Sequence, residues 1–233
     1  MVLTKDSEFA NGLGIEVQIR TKLVRFWSYI KSTAICIGND IFEIEGSADP
    51  TVDLHYWINL EYKGEVSTLG GFPLTITNLE GKSKIIVEID LSSKYPGQMI
   101  EISAWKEFVR VNFKNGSEAS FGKAVGMLGD FKTGKTLSRD GVTVMDDFWA
   151  LGNEWQVLPT EDMIFHSVEQ PQFPKKCIQP EDPQGERRRR LEESSITEEQ
   201  AEKACSGIKD PLDRKDCVYD VLATQDLDMT GAY

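Results

Sequence analysis

One segment of the chain matches a phosphate-binding loop letter by letter. Residues 129–136 are Gly-Asp-Phe-Lys-Thr-Gly-Lys-Thr, a pattern in which backbone amides and the lysine cradle phosphates while the threonine holds magnesium. That chemistry needs a strand before the loop and a helix after it. Residues 137–141 are turn-like and residues 142–144 are extended. A P-loop nucleotide hydrolase is therefore kept only as an alternative, which a helix starting at Lys135 would support.

Hydrolytic and zinc chemistry find no support in the other residues. The chain has no Gly-x-Ser-x-Gly nucleophile elbow. Its two histidines, His55 and His166, are far apart, and spacing identifies no partner for either. None of the four cysteines stands in a Cys-x-x-Cys pair, so no zinc site is expected. We predict no catalytic residue and expect that the chain is not an enzyme.

Charge and hydropathy exclude further classes of function. The net charge of -12 argues against a nucleic-acid partner, because phosphate binding needs a basic face. No apolar run approaches the ~20 residues that cross a bilayer. Residues 1–11 have no apolar core and are not a signal peptide. If the protein is secreted, we expect that its signal has been removed.

We predict that the chain from about Ile15 to Val144 forms strands, which would position the residues discussed above. Apolar residues alternate with polar ones, as in Ile15-Glu16-Val17-Gln18-Ile19, which is typical of strands with one buried face. Turn pairs separate these segments: Gly46-Ser47, Gly70-Gly71, Glu80-Gly81, Pro96-Gly97 and Asn115-Gly116. We predict a mainly β fold, an antiparallel β-sandwich or open barrel over residues 15–158, with no helical segment before Asp162.

The composition changes after residue 158. Residues 159–195 hold more than half of the nine prolines and the run Arg187–Arg190, which predicts an irregular linker. Cleavage after Arg190 by a protease that recognises basic residues is one interpretation of that run. A solvated charge run that pairs with nearby acidic residues is the other.

Residues 196–233 are predicted to form a small helical hairpin. Thr197 and Gln200 fit a capping box for a helix over about 198–206. Asp210 and Pro211 fit the N-cap and first position of a second helix, which should reach about Thr224.

Two disulfides are predicted. A Cys205–Cys217 bond would staple a hairpin that is too small to be held by apolar burial. Cys36 and Cys177 are then left to pair, which would tie the linker to the β domain.

Residues 125–157 carry a resemblance to a known family. Val125-Gly126-Met127-Leu128-Gly129-Asp130-Phe131 resembles the Gly-Leu-Cys-Gly-Asn-Phe signature of von Willebrand factor type D (VWD) domains. Arg139-Asp140-Gly141 resembles the Pro-Asp-Gly turn that follows, and residues 151–157 resemble the closing Phe-Gly-Asn-Ser-Trp-x-Val. Residues 38–46 are similar to the opening Gly-Asp-Pro-His and Phe-Asp-Gly elements.

The chain departs from the family in its cysteines. Leu128 replaces the signature cysteine, and most other family cysteines are absent. This cysteine-poor pattern is similar to that of microalgal secreted proteins, in which a tail motif like residues 217–224 recurs. The departure argues against redox-driven multimerisation, which some family members perform.

The resemblance implies a candidate calcium site. Family members often hold calcium after the signature, and calcium takes six to eight oxygen ligands. Asp130, Asp140 and Glu45 are the candidate ligands, Glu45 at the Phe-Asp-Gly aspartate, and Asp146 and Asp147 are further candidates. Lys132 and Lys135 would oppose a cation there and are expected to pair with Asp130 or Asp140 if they replace it.

The family also implies a function. We expect an extracellular or cell-surface module for adhesion, matrix or protein–protein assembly, whose partners are extracellular or matrix proteins or glycans. Asn115 is the acceptor of an N-glycosylation sequon. A glycan-binding β-sandwich is a second alternative, and it would present Trp57, Trp105 and Trp155 to solvent.

Overall fold

The structure, a computed structural model, describes residues 1–24, 27–47, 49, 52–79, 84–168 and 196–233. These residues divide into two units. The first unit contains residues 1–21 and 30–168, and the second contains residues 22–24, 27–29 and 196–233. Cys177 and Arg187–Arg190 lie outside the described residues, so the proposed cleavage after Arg190 stays a prediction.

Two antiparallel sheets contain the alternating segments. The first sheet has six strands in chain order: β1 (Val2–Asp6), β2 (Ile15–Val24), β3 (Trp27–Ile37), β4 (Asp40–Glu45), β5 (His55–Ile58) and β6 (Glu61–Tyr62). The second has five: β7 (Thr68–Leu69), β8 (Phe72–Leu79), β9 (Lys84–Asp90), β10 (Met99–Trp105) and β11 (Phe108–Lys114). Within each sheet, strands that follow one another in the chain are hydrogen-bonded neighbours, and the mainly β prediction is confirmed.

One apolar core is shared by the two sheets. Val17, Ile35 and Phe42 contribute from the first sheet, and Val87 and Ile102 contribute from the second; all five are buried. Alternation puts these side chains on one face of each strand and leaves the polar ones on the other. The core therefore follows directly from the period of two in the sequence.

The first strand was not predicted. Residues before Ile15 were placed outside the β domain, but β1 pairs antiparallel with β2. Val2, Leu3 and Thr4 are all buried in succession, so β1 lacks the alternation that marks the other strands. A strand buried on both faces cannot be recognised by period alone.

Three short helices also contradict the expectation of no helix before Asp162. They are α1 (Phe9–Gly12), α2 (Glu118–Phe121) and α3 (Phe148–Glu154). The longest has seven residues, two turns, which is too short for a helical period to stand out. Trp155, within the residues predicted to form the β domain, ends α3 as its C-cap.

The second unit contains the predicted helical hairpin. Helices α4 (Glu198–Cys205) and α5 (Pro211–Thr224) are followed by a 3-10 helix, Leu227–Ala232. The capping box of Thr197 and Gln200 is present, and Asp210 caps α5 by accepting bonds from two backbone N–H groups. The Cys205–Cys217 disulfide is confirmed, and both of its residues are fully buried.

The tip of the β2–β3 hairpin belongs to this second unit. Burial, the Asp220 carboxylate and Tyr219 together raise the pKa of Tyr29, which lies on that tip. Tyr29 therefore lies close to α5 rather than in solvent. No helix in the described ranges is long and apolar enough to span a membrane.

Candidate functional site

The segment that resembles the VWD signature is attached to β1. Val125 exchanges two backbone hydrogen bonds of 2.8 Å with Lys5, and the Leu128 N–H donates to the Leu3 carbonyl at 3.0 Å. Gly126 has φ +134°, and a Cβ there would lie 2.6 Å from the Leu3 carbonyl oxygen. Glycine is thus required by both the conformation and the close approach.

The loop after the signature is organised by the carboxylate of Asp130. It accepts hydrogen bonds from the Lys132 N–H at 3.0 Å, the Thr133 N–H at 3.2 Å and the Thr133 hydroxyl at 2.6 Å. These bonds hold the pKa of Asp130 below its ordinary value, with the Thr133 hydroxyl as the largest cause. Backbone amides that would cradle a phosphate in a P-loop therefore bind the chain's own carboxylate.

No helix starts at the end of this loop, and the next helix in the chain, α3, begins only at Phe148. Leu137 forms an isolated antiparallel bridge with Val144, and the intervening residues are turn. Because a phosphate-binding loop needs a helix that starts at its lysine, the letter match at residues 129–136 does not correspond to a P-loop. The Lys132 ammonium lies 2.6 Å from Glu118, which is the largest cause of its raised pKa, and the Asp130 carboxylate contributes less to that rise.

Asp140 organises the next turn in the same way. Its carboxylate accepts bonds from the hydroxyls of Ser138 and Thr143, both at 2.6 Å, and from the N–H groups of Val142 and Thr143, both at 2.8 Å. The hydroxyl of Ser138 is the largest cause of a pKa for Asp140 well below its usual range. This turn closes a small hairpin over residues 137–144.

The carboxylates proposed as calcium ligands are engaged by protein partners. Both oxygens of Asp130 and of Asp140 accept protein hydrogen bonds, and Glu45 pairs with the Lys31 ammonium at 2.6 Å. In the described part of the chain, no three His, Cys, Asp or Glu residues are grouped to hold a metal. Calcium takes six to eight oxygen ligands, and its binding by Asp130, Asp140 and Glu45 stays a prediction.

The segment that resembles the closing VWD element forms α3, which holds the hairpin over residues 137–144. Leu151 and Trp155 are buried with Val2 in a small apolar cluster, and the Trp155 indole N–H donates to the Leu137 carbonyl at 3.0 Å. Asp147 caps the helix by accepting from the Ala150 N–H at 2.7 Å. The hairpin and α3 are thereby joined.

Arg139 is a second anchor between the hairpin and α3. Its backbone N–H donates to the Glu154 carboxylate at 2.9 Å and its Nε to the Glu154 carbonyl at 2.8 Å. Its guanidinium lies 4.9 Å from the Trp155 ring centroid and forms an ion pair with Glu161. Burial alone would raise the pKa of Glu161, but the Leu158 N–H and Arg139 hold it below its ordinary value.

A buried carboxylate that the sequence analysis did not single out lies on the outer face of the first sheet. Glu43, on β4, is fully buried and accepts from the His166 N–H at 2.7 Å, and His166 Nδ1 lies 2.9 Å from its other oxygen. The His166 ring stacks on Trp57 at 3.9 Å between centroids. The only sequence signal was a carboxylate in the middle of an apolar strand.

Residues 162–168, which we call the strap, cross that outer face. Gln18 on β2 donates to the Asp162 carbonyl at 2.9 Å and accepts from the Ile164 N–H at 3.3 Å. Ile164 and Phe165 pack on Ala34 of β3, and His166 reaches Glu43 and Trp57. The first part of the predicted linker is therefore bound to four strands of the sheet.

The tryptophans do not form the exposed row that a glycan-binding sandwich would present. Trp105 and Trp155 are buried, and Trp57 is half-buried under His166. Asn115 has φ +56° and joins β11 to α2, so Asn115-Gly116 is not the hairpin turn that was predicted. Asn115 is exposed and donates to the Gly97 carbonyl at 2.9 Å, and its glycosylation stays a prediction.

Cys36 lies on the outer face of β3, with its sulfur 3.4 Å from the Gly38 carbonyl, and it is not bonded to another cysteine among the described residues. Burial is the largest cause of a raised pKa for this thiol. Because Cys177 lies outside the described residues, the Cys36–Cys177 disulfide stays a prediction.

Comparison of the chain with protein-family models and with curated proteins found no match to either. The resemblance to VWD domains therefore rests on the residues quoted above.

Proposed function

We propose that the chain is a non-catalytic extracellular or cell-surface module, VWD-like in its residues 125–157, that works in adhesion, matrix or protein–protein assembly. The observation that carries this proposal is the hairpin over residues 137–144, which Arg139 and Trp155 hold against α3. Loops fixed to a rigid two-sheet body are typical binding elements. The Cys205–Cys217 disulfide supports an oxidising compartment.

The proposed module does not use calcium. Asp130 and Asp140 organise their own loops through hydrogen bonds, which is the role a cation would otherwise have. The P-loop hydrolase is not retained, because no helix starts directly after residues 129–136. A glycan-binding function is not favoured, because two of the three tryptophans it requires are buried.

The test is an adhesion assay on beads coated with the purified chain. Coated beads should bind extracellular matrix from which the cells have been stripped, while beads coated with heat-unfolded chain should not. The same preparation should show no magnesium-dependent ATP hydrolysis. Equal adhesion of native and unfolded chain would contradict the proposal, and so would ATP hydrolysis that Lys135→Ala abolishes.

A further inference from the structure

Four large apolar side chains are exposed within eight residues of the anchored hairpin and α3. Phe148 is 84% exposed, Val142 79%, Val144 43% and Trp149 40%. Single exposed apolar residues are common on protein surfaces and need no explanation. Here they are concentrated in one ordered segment, which we call the Phe148 surface and define as Val142, Val144, Phe148 and Trp149.

Phe148 continues a buried apolar stripe. In a helix, residues three, four and seven apart share a face, so Phe148 lies on the same side of α3 as Leu151 and Trp155. Those two residues are buried against Val2, whereas Phe148 is left without cover. The stripe therefore extends beyond the core that the described chain supplies for it.

The Phe148 surface stands on a fixed backbone. The Met145 N–H donates to the Thr136 carbonyl at 2.9 Å, the Ser138 N–H to the Thr143 carbonyl at 2.9 Å, and Asp140 accepts bonds across the turn. Met145 packs with Leu151 and Trp155, which joins the hairpin to α3. A preorganised surface loses little conformational entropy when a partner binds.

The charged residues within the segment that carries this surface are all negative. Residues 140–149 include Asp140, Asp146 and Asp147 and contain no lysine, arginine or histidine. The nearest cation on the hairpin, Arg139, is paired with Glu161. A second copy of this chain, with net charge -12, would bring the same acidic groups face to face. Anionic lipid surfaces and nucleic acids are disfavoured for the same reason.

We propose that the Phe148 surface is the docking site for a protein partner that presents apolar side chains flanked by lysine or arginine, such as a basic amphipathic helix. This inference rests on the proposed adhesion or assembly function and names its contact surface. Phe148 and Val142 are the apolar anchors, and Asp146 and Asp147 pair with the partner's cations. Burial of the anchors supplies affinity, and the charges select the partner.

The experiment is calorimetric titration of the full chain with three synthetic helical peptides of about 18 residues, five turns. One has a leucine stripe and lysines elsewhere, the second has the same stripe with glutamates, and the third has the lysines with serines in place of leucines. The leucine–lysine peptide should bind most tightly. Phe148→Ser should raise its Kd by about tenfold or more, as expected for a hot-spot anchor.

Leu212→Ser is the matched control, because Leu212 is an apolar residue of the second unit that is also mostly exposed. It should leave the Kd within about twofold, which is within the scatter of surface substitutions. Asp146→Asn should weaken binding and reduce its dependence on salt. Melting temperatures of the variants should equal that of the parent chain, because the substituted side chains are exposed.

Several results would overturn the proposal. One is an equal effect of Phe148→Ser and Leu212→Ser on the Kd, and another is binding of the glutamate or serine peptide as tight as that of the leucine–lysine peptide. Self-association of the chain that Phe148→Ser abolishes would also overturn it, and so would binding to anionic vesicles that depends on Phe148. If Phe148→Ser leaves matrix adhesion intact, the Phe148 surface is not the docking site, but the proposed adhesion function still holds. If the peptide binds in a Phe148-dependent way but the chain does not adhere to matrix, the docking site holds and the proposed adhesion function is contradicted.

Discussion

At the scale of single residues, Asp130 and Asp140 stabilise their own loops. Residue type alone suggested two kinds of site: a phosphate loop, from its glycines, lysine and threonine, and a cation site, from its aspartates. The two alternatives differ in what the backbone amides bind, and that depends on the fold around them. Each carboxylate accepts bonds from residues two or three positions away. Such local turns satisfy amides that would otherwise need a ligand.

The depressed pKa of Asp140 predicts how the hairpin responds to acid. A carboxylate whose pKa is lower in the folded state stabilises fully above its unfolded value of about 3.9, and that contribution is lost as pH falls through the folded pKa. We expect the amides of Val142 and Thr143 to stay protected from hydrogen exchange from about pH 5 to about pH 3, and to lose protection below that. Asp140→Asn, which cannot titrate, should remove this transition. A transition at the ordinary aspartate pKa would contradict the assignment.

The buried carboxylate of Glu43 predicts a large effect of a small substitution. Glu43→Gln removes the charge and one acceptor oxygen. The amide oxygen can still accept from the His166 N–H, but the new NH2 group then faces Nδ1, which keeps a partner only if the ring changes from donor to acceptor. An unsatisfied buried donor costs about 1–3 kcal/mol, and urea unfolding should report a loss of that size. Glu101→Gln is the matched control, because its Lys114 partner at 2.5 Å is partly exposed and the change should cost under about 1 kcal/mol. Equal losses for the two variants would show that Glu43 has no special role.

Glu43 also shows a limit of sequence analysis at this scale. The helix caps Thr197 and Asp210 were predictable, because cap and target lie within three residues of each other. Glu43 and His166 are 123 residues apart. Alternation on β4 places Glu43 on a face but does not say what covers that face.

At the scale of elements, the helical hairpin depends on its disulfide. Cys205 and Cys217 are 12 residues apart, and closing a loop of about 15 residues contributes about 3 kcal/mol in the chain-entropy description. Few apolar residues are buried beside them in this unit. We expect Cys205→Ser with Cys217→Ser to lower amide protection across residues 196–233 while the core of the two sheets stays protected.

The control for that experiment is chemical reduction. A reductant should lower the protection of residues 196–233 in the parent chain and have no further effect on the double serine variant. Full protection after reduction would show that the disulfide is not needed for the hairpin.

Elements were predictable where one period dominated. Strands β2, β9 and β10 alternate over seven residues or more and were recognised, as were α4 and α5 with their caps. Strand β1 was missed because it is buried on both faces. Helix α3 was missed because it is short and contains Gly152, a poor helix former. The strap was predicted to be part of the linker. Its contacts with four strands produce no periodic pattern of apolar residues in its sequence.

At the scale of the whole molecule, calcium should not change stability. A ligand that binds only the folded state raises the melting temperature in proportion to its binding energy. Because Asp130, Asp140 and Glu45 are occupied by protein partners, melts with calcium and with a chelator should coincide. A rise with calcium that Asp130→Asn removes would restore the family-type site, whereas a rise that persists in this variant would place a cation elsewhere.

The oxidation state of the whole chain tests the proposed compartment. Disulfides persist in oxidising environments, and an extracellular chain should pair Cys36 with Cys177 as well as Cys205 with Cys217. Alkylation of the denatured, non-reduced protein, followed by intact mass measurement, should then find no thiol adduct. Denaturation is needed because the raised pKa of Cys36 makes its folded thiol slow to react. Two adducts would show that Cys36 and Cys177 remain thiols and would leave the Cys205–Cys217 bond as the sole cysteine-based support for an extracellular site. Four adducts would contradict an oxidising compartment for the chain as isolated.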